Sequence, residues 1–261
     1  MISRVLELVQ AAGQVVLSFY GTEVRVTNKA DNSPLTEADQ ASHELLETGL
    51  RQLGSDWPVI SEEAASLATN SVQSAPRFWL VDPLDGTKEF LKRSGEFTVN
   101  VALIEQGRPA LGVVHAPALR VTWFAERNSG AFRQEQAGSA ARIHARSANP
   151  DRLTVAASRD HAGPAITRML AKMPGANLVK SGSSLKFCLV AEGKADLYLR
   201  DLPTMEWDTA AAQCVAEAAR AGVYDLSGRS LTYGKQGLRN PPIMTVGDQN
   251  LPWAHYLATE K

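Results

Sequence analysis

Cysteine is scarce. Cys188 and Cys214 are the two cysteines among 261 residues, and each sits in apolar, helical-looking sequence with no second thiol or histidine at ligand spacing. A disulfide framework and a Cys/His zinc site therefore have no support, and both residues are expected as ordinary buried thiols in a reducing cytoplasm. Excess charge of either sign is also missing: 27 Lys plus Arg stand against 28 Asp plus Glu. No basic stripe points to a nucleic-acid polymer, although a small, locally bound anion is compatible with this balance. No uninterrupted apolar run is long enough to cross a bilayer, and Glu7 and Gln10 interrupt what would be the apolar core of a signal peptide. The expectation is a cytoplasmic protein without a transmembrane segment, with a peripheral place on the inner face of the membrane as the other address. Internal repeats and low-complexity tracts are absent, and no feature sets an oligomeric state.

Against these absences, 44% hydrophobic residues provide ample material for a core. Val5, Leu8, Ala12, Val15, Val16 and Phe19 recur at three- and four-residue steps, which predicts an amphipathic helix ended by Gly21. Val24 to Val26 is a strand candidate, and residues 29–34 are rich in turn formers. Thr36 is a plausible N-cap for a second helix running to Leu53, with Asp39 in the capping-box position. Trp57 to Ile60 and Phe78 to Val81 read as buried strands. From Phe97 to Phe132, short apolar runs broken by turn residues predict an antiparallel meander. After Pro150, strands at 153–157, 177–179 and 195–199 alternate with helices at 164–172, 184–192 and 208–220, which predicts an α/β arrangement. The chain thus divides into an N-terminal α+β half, 1–150, and a C-terminal α/β half, 151–261.

Several of these elements end in carboxylates. Glu62 and Glu63 follow one strand, Asp82 ends another with Asp85 a turn later, Asp39 lies early in a helix, and Asp208 opens one after Trp207. Singly, each has a structural reading: Asp208 as an N-cap, Asp82-Pro83 and Asp85-Gly86 as turns, Glu62-Glu63 as a solvated loop. Gathered in one cleft they would repel by several kcal/mol per close pair, a conflict that hard cations remove. An all-oxygen donor set without histidine or thiolate suits Mg2+ better than zinc. Two such ions ~4 Å apart would serve in-line phosphoryl displacement. Gly86 lets backbone approach a phosphate closely, and a helix starting at Thr87 would offer it free N–H groups. Thr87 is then placed to hydrogen-bond the attacking water and pass its proton towards Asp39.

The continuous string from Trp79 to Phe90, WLVDPLDGTKEF, resembles the first signature of the inositol-monophosphatase superfamily, and Trp207-Asp208-Thr209-Ala210-Ala211 resembles its second. Thr36-Glu37-Ala38-Asp39 and Ser61-Glu62-Glu63 are similar to the remaining acidic motifs, in the family's order. The resemblance implies a layered α-β-α-β-α fold, dependence on two or three Mg2+ ions and sensitivity to lithium. It implies metal binding by Glu62, Asp82, Asp85, Asp208 and the main-chain carbonyl of Leu84. Thr87 and Asp39 would form the water-activating pair, with Glu62 also at the catalytic centre, and Gly86 and Thr87 the phosphate cradle. Lys88-Glu89-Phe90 is similar to the bisphosphate-nucleotidase branch, in which a Ser, a Lys and an Arg hold the nucleotide; Ser183, Lys186 and Arg200 occupy the matching positions, with Asp208 also facing substrate. From the residues alone, Ser183 reads as the cap of the helix at 184–192, with Lys186 and Arg200 favouring a second phosphate. Glu206, directly before Trp207-Asp208, is another feature similar to that branch, while as a lone Glu in a loop it reads as solvated. The implied reaction removes the 3′-phosphate of adenosine 3′,5′-bisphosphate to give AMP and phosphate, with the sulfated nucleotide as a second substrate. An inositol- or sugar-phosphate phosphatase is the alternative enzyme, and a non-catalytic metal or nucleotide sensor the alternative class.

Overall fold

The computed structural model describes residues 1–22, 26–28, 34–53, 56–64, 75–136, 138–158 and 164–257. Helix α1 (Ile2–Phe19) turns Val5, Val9, Ala12 and Val16 inward, as the three- and four-residue steps require. It is long and apolar enough to cross a membrane by length and composition, but those four side chains are fully buried in the protein core. Strands β1 (Val26–Asn28) and β2 (Pro34–Thr36) form an antiparallel ribbon leading into α2 (Glu37–Leu53). Val26 of the expected span is in β1; Val24, Arg25 and residues 29–33 lie outside the described residues. Pro34 opens a strand rather than closing a loop, because the first position of a ribbon strand asks no ladder bond of its missing N–H.

Strand β3 (Val59–Ser61) begins two residues later than its apolar run suggested. It pairs in parallel with β4 (Arg77–Asp85), after which α3 (Thr87–Leu91) leads to the antiparallel meander. That meander comprises β5 (Thr98–Glu105), β6 (Arg108–Ala116), β7 (Val121–Glu126), β8 (Gly130–Glu135) and β9 (Ala141–Ile143), completing a seven-stranded sheet in sequence order. The central strands read as continuous apolar runs because both faces are covered. Phe78, Leu80, Ala102, Ile104 and Val114 enter one core, while Trp79, Val81, Val101, Leu103 and Val113 enter the other, the period-2 alternation of a strand.

The C-terminal part starts with β10 (Thr154–Ala157), α4 (Pro164–Ala171), β11 (Asn177–Lys180), α5 (Leu185–Ala191) and β12 (Leu197–Arg200). There follow β13 (Thr204–Met205), α6 (Ala210–Ala218), β14 (Gly222–Asp225), β15 (Arg239–Asn240), β16 (Ile243–Val246) and α7 (Ala254–Leu257). The second sheet has the order β11-β10-β12-β16-β14. Its first three strands are parallel, as alternation with helices predicts, but β16 runs antiparallel to both β12 and β14. The sheet is mixed because no crossover helix separates β14 from β16, so the chain is free to return in the opposite direction.

Three apolar cores separate five layers. One lies between α1/α2 and the large sheet, one between the two sheets around α5 and α6, and one between the small sheet and α4/α7. This is the α-β-α-β-α order implied by the resemblance. Helix α6 sits directly on the large sheet at Gly112, where an added Cβ would meet the Ala211 carbonyl oxygen at 2.4 Å and the Cys214 Cβ at 2.6 Å. Cys188 and Cys214 are both free and buried in the central core. Burial pushes the Cys214 thiol up to about 12 and holds Cys188 well above its ordinary value, so both stay protonated and poorly nucleophilic.

Candidate metal and phosphate site

Strand β4 does not stop at Val81, as its apolar run suggested, but continues through Asp82 and Pro83 to Asp85. On β5 the partners of Asp82 and Asp85 are Asn100 and Thr98, so three steps on β4 oppose two on β5. One extra residue makes a β-bulge, and a bulge reverses side-chain parity. In a regular strand Asp82 and Asp85 would face opposite ways. Here Leu84 joins Trp79 and Val81 in the core beneath α1 and α2, and both aspartates line the same cavity. Pro83 suits this position because a bulge relieves it of donating to the ladder. The Leu84 N–H donates to Asp82 Oδ1 at 3.1 Å, tightening the turn.

The cavity, of about 250 Å³, is lined by Glu62, Asp82, Asp85 and Asp208, contributed by three separate segments of the chain. Glu62 arrives on the 3-10 turn Glu62–Ala64 that follows β3. Asp208 does not cap α6, whose first residue is Ala210; instead Asp208 Oδ2 accepts the Met205 N–H at 2.8 Å within the preceding turn. Burial, reinforced by the charges of Asp85 and Glu62, raises the Asp208 carboxyl from 3.8 to about 8. Burial costs this carboxyl most, its acidic neighbours add to the cost, and Arg200 offsets part of it. Among the described residues no three acidic, histidine or cysteine side chains close on a single point as a ready-made cage. The acids form walls, which fits a hard divalent ion that retains waters and takes the rest of its shell from a few carboxylates and substrate oxygens.

Helix α3 begins directly after Gly86, whose φ of 90° is open to glycine at little cost. A Cβ at Gly86 would also approach the Glu96 carbonyl at 3.3 Å and Ser183 Cβ at 3.4 Å. The Thr87 hydroxyl lies 3.3 Å from Asp39 Oδ1 and 3.4 Å from the Leu84 carbonyl. Asp39 is buried, and its Oδ2 accepts both the Thr36 N–H and the Thr36 hydroxyl, at 2.8 and 2.6 Å. The capping box read from the sequence thus also fixes the carboxylate that faces Thr87.

Ser183, Lys186 and Arg200 line the same cavity. Ser183 does not cap α5. The N-cap position belongs to Ser184, and Ser183 adopts a left-handed φ of 51°, which turns its hydroxyl to donate to Asp85 Oδ2 at 2.6 Å. Lys186 is not solvated: it is buried, and its Nζ donates to the carbonyls of Ser183 and Ser181 at 2.5 and 3.3 Å. Burial lowers its pKa to about 8 despite the opposing charge of Asp85. Arg200 Nε is buried and makes no hydrogen bond among the described residues.

Two sets of residues escaped the sequence reading. Asn100 and Ser184 converge with Ser183 on one oxygen: Asp85 Oδ2 also accepts the Ser184 N–H at 2.7 Å, with the Ser184 hydroxyl at 2.9 Å and Asn100 Nδ2 at 3.4 Å. The Ser184 hydroxyl lies 3.0 Å from the Asp208 carbonyl as well, tying the segments of two candidate ligands together. An Asn in an otherwise apolar strand was the available signal for Asn100. The second set surrounds Glu206, which is fully buried rather than solvated. It accepts the N–H groups of Gly234 and Lys235 at 2.7 and 3.0 Å, and Lys235 Nζ stands 2.7 Å away. Asn240 and Tyr233 complete the brace through the Thr209 hydroxyl, at 2.8 and 3.1 Å. Residues 233–240 therefore hold the Trp207-Asp208 turn in place.

A carboxylate cavity beside a left-handed glycine turn, set between two sheets in a five-layer fold, defines a class, and the sequence model of the inositol monophosphatase family matches residues 1–253. The chain belongs to that family. It is 46% identical over 244 residues to the 3′(2′),5′-bisphosphate nucleotidase CysQ of Escherichia coli strain K12, covering 92% of this chain and 97% of that protein. It is 45% identical to the protein of the same name from Salmonella typhimurium strain LT2, with the same coverage. The crystal structure of CysQ from Bacteroides thetaiotaomicron, a bacterial member of the family, superposes with a TM-score of 0.82 at 37% identity, over 95% of this chain and 97% of that one.

Proposed function

We propose that the chain is a Mg2+-dependent 3′(2′),5′-bisphosphate nucleotidase that removes the 3′-phosphate of adenosine 3′,5′-bisphosphate, and of its 5′-sulfated form, leaving AMP or the sulfated monophosphate and inorganic phosphate. The observation that carries this reading is the single cavity in which Glu62, Asp82, Asp85 and Asp208 meet Ser183, Lys186 and Arg200. Close similarity to proteins of that name supports the choice of a nucleotide.

Glu62, Asp82, Asp85, Asp208 and the Leu84 carbonyl would hold two or three Mg2+ ions, which when bound supply Lewis acidity and neutralise charge on the phosphoryl oxygens. The protein's own part begins with Thr87. Because Asp39 can only accept a hydrogen bond, the Thr87 hydroxyl donates to it, and the lone pairs of Thr87 Oγ1 are left to accept one from water. That water is held for in-line attack on phosphorus. As its oxygen bonds to phosphorus the bond from phosphorus to the 3′-oxygen breaks, its proton passes through Thr87 to Asp39, and the leaving 3′-oxygen takes a proton from solvent. The turn at Gly86-Thr87 receives the transferred phosphate. Arg200 and the positive charge of Lys186 favour the second phosphate. The boundary near residue 150 belongs to the same proposal, the acids of 1–150 supplying most of the metal site and 151–261 supplying Asp208 and the nucleotide wall. So does a cytoplasmic location.

The test is phosphate release from adenosine 3′,5′-bisphosphate, its sulfated form and inositol 1-phosphate, in parallel arms with EDTA, Mg2+, and Mg2+ plus Li+. The bisphosphate should have the highest kcat/KM, EDTA should abolish turnover and Li+ should lower it. Equal or faster turnover of inositol 1-phosphate would transfer the assignment to the alternative phosphatase, and no release from any substrate would leave only a sensor.

A further inference from the structure

The buried face of α2 changes character along its length. Towards the C-terminal end it presents Leu46 and Leu50, but its first turns present Asp39, Ser42 and His43, all polar and all buried. The steps i, i+3 and i+4 put these three side chains on one stripe of the helix, and each reaches a different segment of the cavity. Asp39 meets Thr87 at the start of α3. The Ser42 hydroxyl donates to the Pro83 carbonyl at 2.9 Å, within the bulge that brings Asp82 and Asp85 to one side. His43 Nδ1 lies 2.9 Å from the hydroxyl of Ser61, the residue immediately before Glu62. The carboxylate of Glu47, 3.5 Å from His43 Nε2, favours a proton on that nitrogen, so Nδ1 faces Ser61 as the acceptor.

We infer that Ser42 and His43 are positioning residues for the metal site: Ser42 fixes the bulge that aims Asp82 and Asp85, and His43 fixes the end of β3 that delivers Glu62. The inference rests on the reading of these acids as Mg2+ ligands. Its physical basis is that the ladder shift between Asp82 and Asp85 takes Pro83 out of register with β5, and a buried carbonyl so displaced needs a donor from elsewhere. Ser42, fully buried, is that donor. At the His43–Ser61 contact, where both partners are side chains, an apolar pair would pack as well, so packing alone gives these two no reason to be polar. Outer partners of this kind set the orientation of metal ligands, and their loss typically weakens metal binding by about 10- to 100-fold.

The experiment is calorimetric titration of Mg2+ into the metal-free full chain without substrate, with a thermal melt of each variant. Ser42→Ala and His43→Ala should each raise the Mg2+ dissociation constant by about 10-fold. Ser42→Thr, which keeps a hydroxyl, and His43→Asn, which keeps a group able to bond Ser61, should recover most of the affinity. Val9→Ala, a truncation in the core beneath α1, should lower Tm and leave Mg2+ affinity unchanged. Ala variants that bind Mg2+ as the parent does would overturn the inference while the parent's own binding upholds the metal reading. Equal weakening by Val9→Ala would overturn it too, by reducing the effect to stability. A parent chain that takes up no Mg2+ would remove the metal reading and the inference together.

Discussion

Acid should loosen this fold through one histidine that lies outside the active cavity. His115, on β6, is buried, with Nδ1 2.9 Å from the Thr122 hydroxyl and Nε2 lacking a partner among the described residues. Helix α1 presses on it at Gly13, where an added Cβ would lie 2.5 Å from His115 Cδ2. Burial lowers the His115 pKa from 6.5 to about 4, opposed by a hydrogen bond with the backbone of Val121. The folded state thus binds the proton less readily than the unfolded chain, so this contribution is intact above pH 6.5 and lost as the pH falls towards 4. A gap of about 2.5 units at ~1.36 kcal/mol each amounts to about 3 kcal/mol. His115→Asn keeps a group able to bond Thr122 but cannot take up the proton. Urea unfolding at constant Mg2+, from pH 7 to pH 4, should show the parent losing about 3 kcal/mol relative to this variant. Two curves that stay parallel over that interval would refute the reasoning.

Thr87→Ala should lower kcat by about 100-fold or more with little change in KM, because the hydroxyl acts on the water and not on the nucleotide; full turnover in a phosphate-release assay would contradict this. Gly112→Val should cost more than ~3 kcal/mol in urea unfolding, since neither the α6 backbone nor β6 can yield the space a branched side chain needs. Glu206→Ala should destabilise by about 3 kcal/mol, because it removes the acceptor of two backbone N–H groups and leaves Lys235 without its buried partner. Its Mg2+ requirement in the phosphate-release assay should rise as the Asp208 turn loosens.

Periodicity made α1 legible, a capping box marked the start of α2, and apolar runs broken by turn residues marked the meander. The acids were legible as a set because so many element ends carry one. The parity change between Asp82 and Asp85 was not, since a bulge depends on which β5 residues pair across from it, and Pro83 read locally as a turn. Ser183 was misread for a similar reason: as a residue before a helix it suggests a cap, but its left-handed backbone points the hydroxyl at Asp85 instead. Glu206 and Lys235 are far apart in sequence, so nothing local marked them as an ion pair. The antiparallel return of β16 lay in a stretch without helices or motifs, where strand direction is set only by the neighbours it meets.

One carboxylate oxygen, Asp85 Oδ2, gathers donors from the turn that opens α5 while its residue also belongs to the acidic wall. On the proposed reading the ion's wall and the nucleotide's turn are joined through this one side chain, so the two would not be independent guests. Linkage makes the effect symmetric: whatever factor Mg2+ applies to nucleotide affinity, the nucleotide applies to Mg2+.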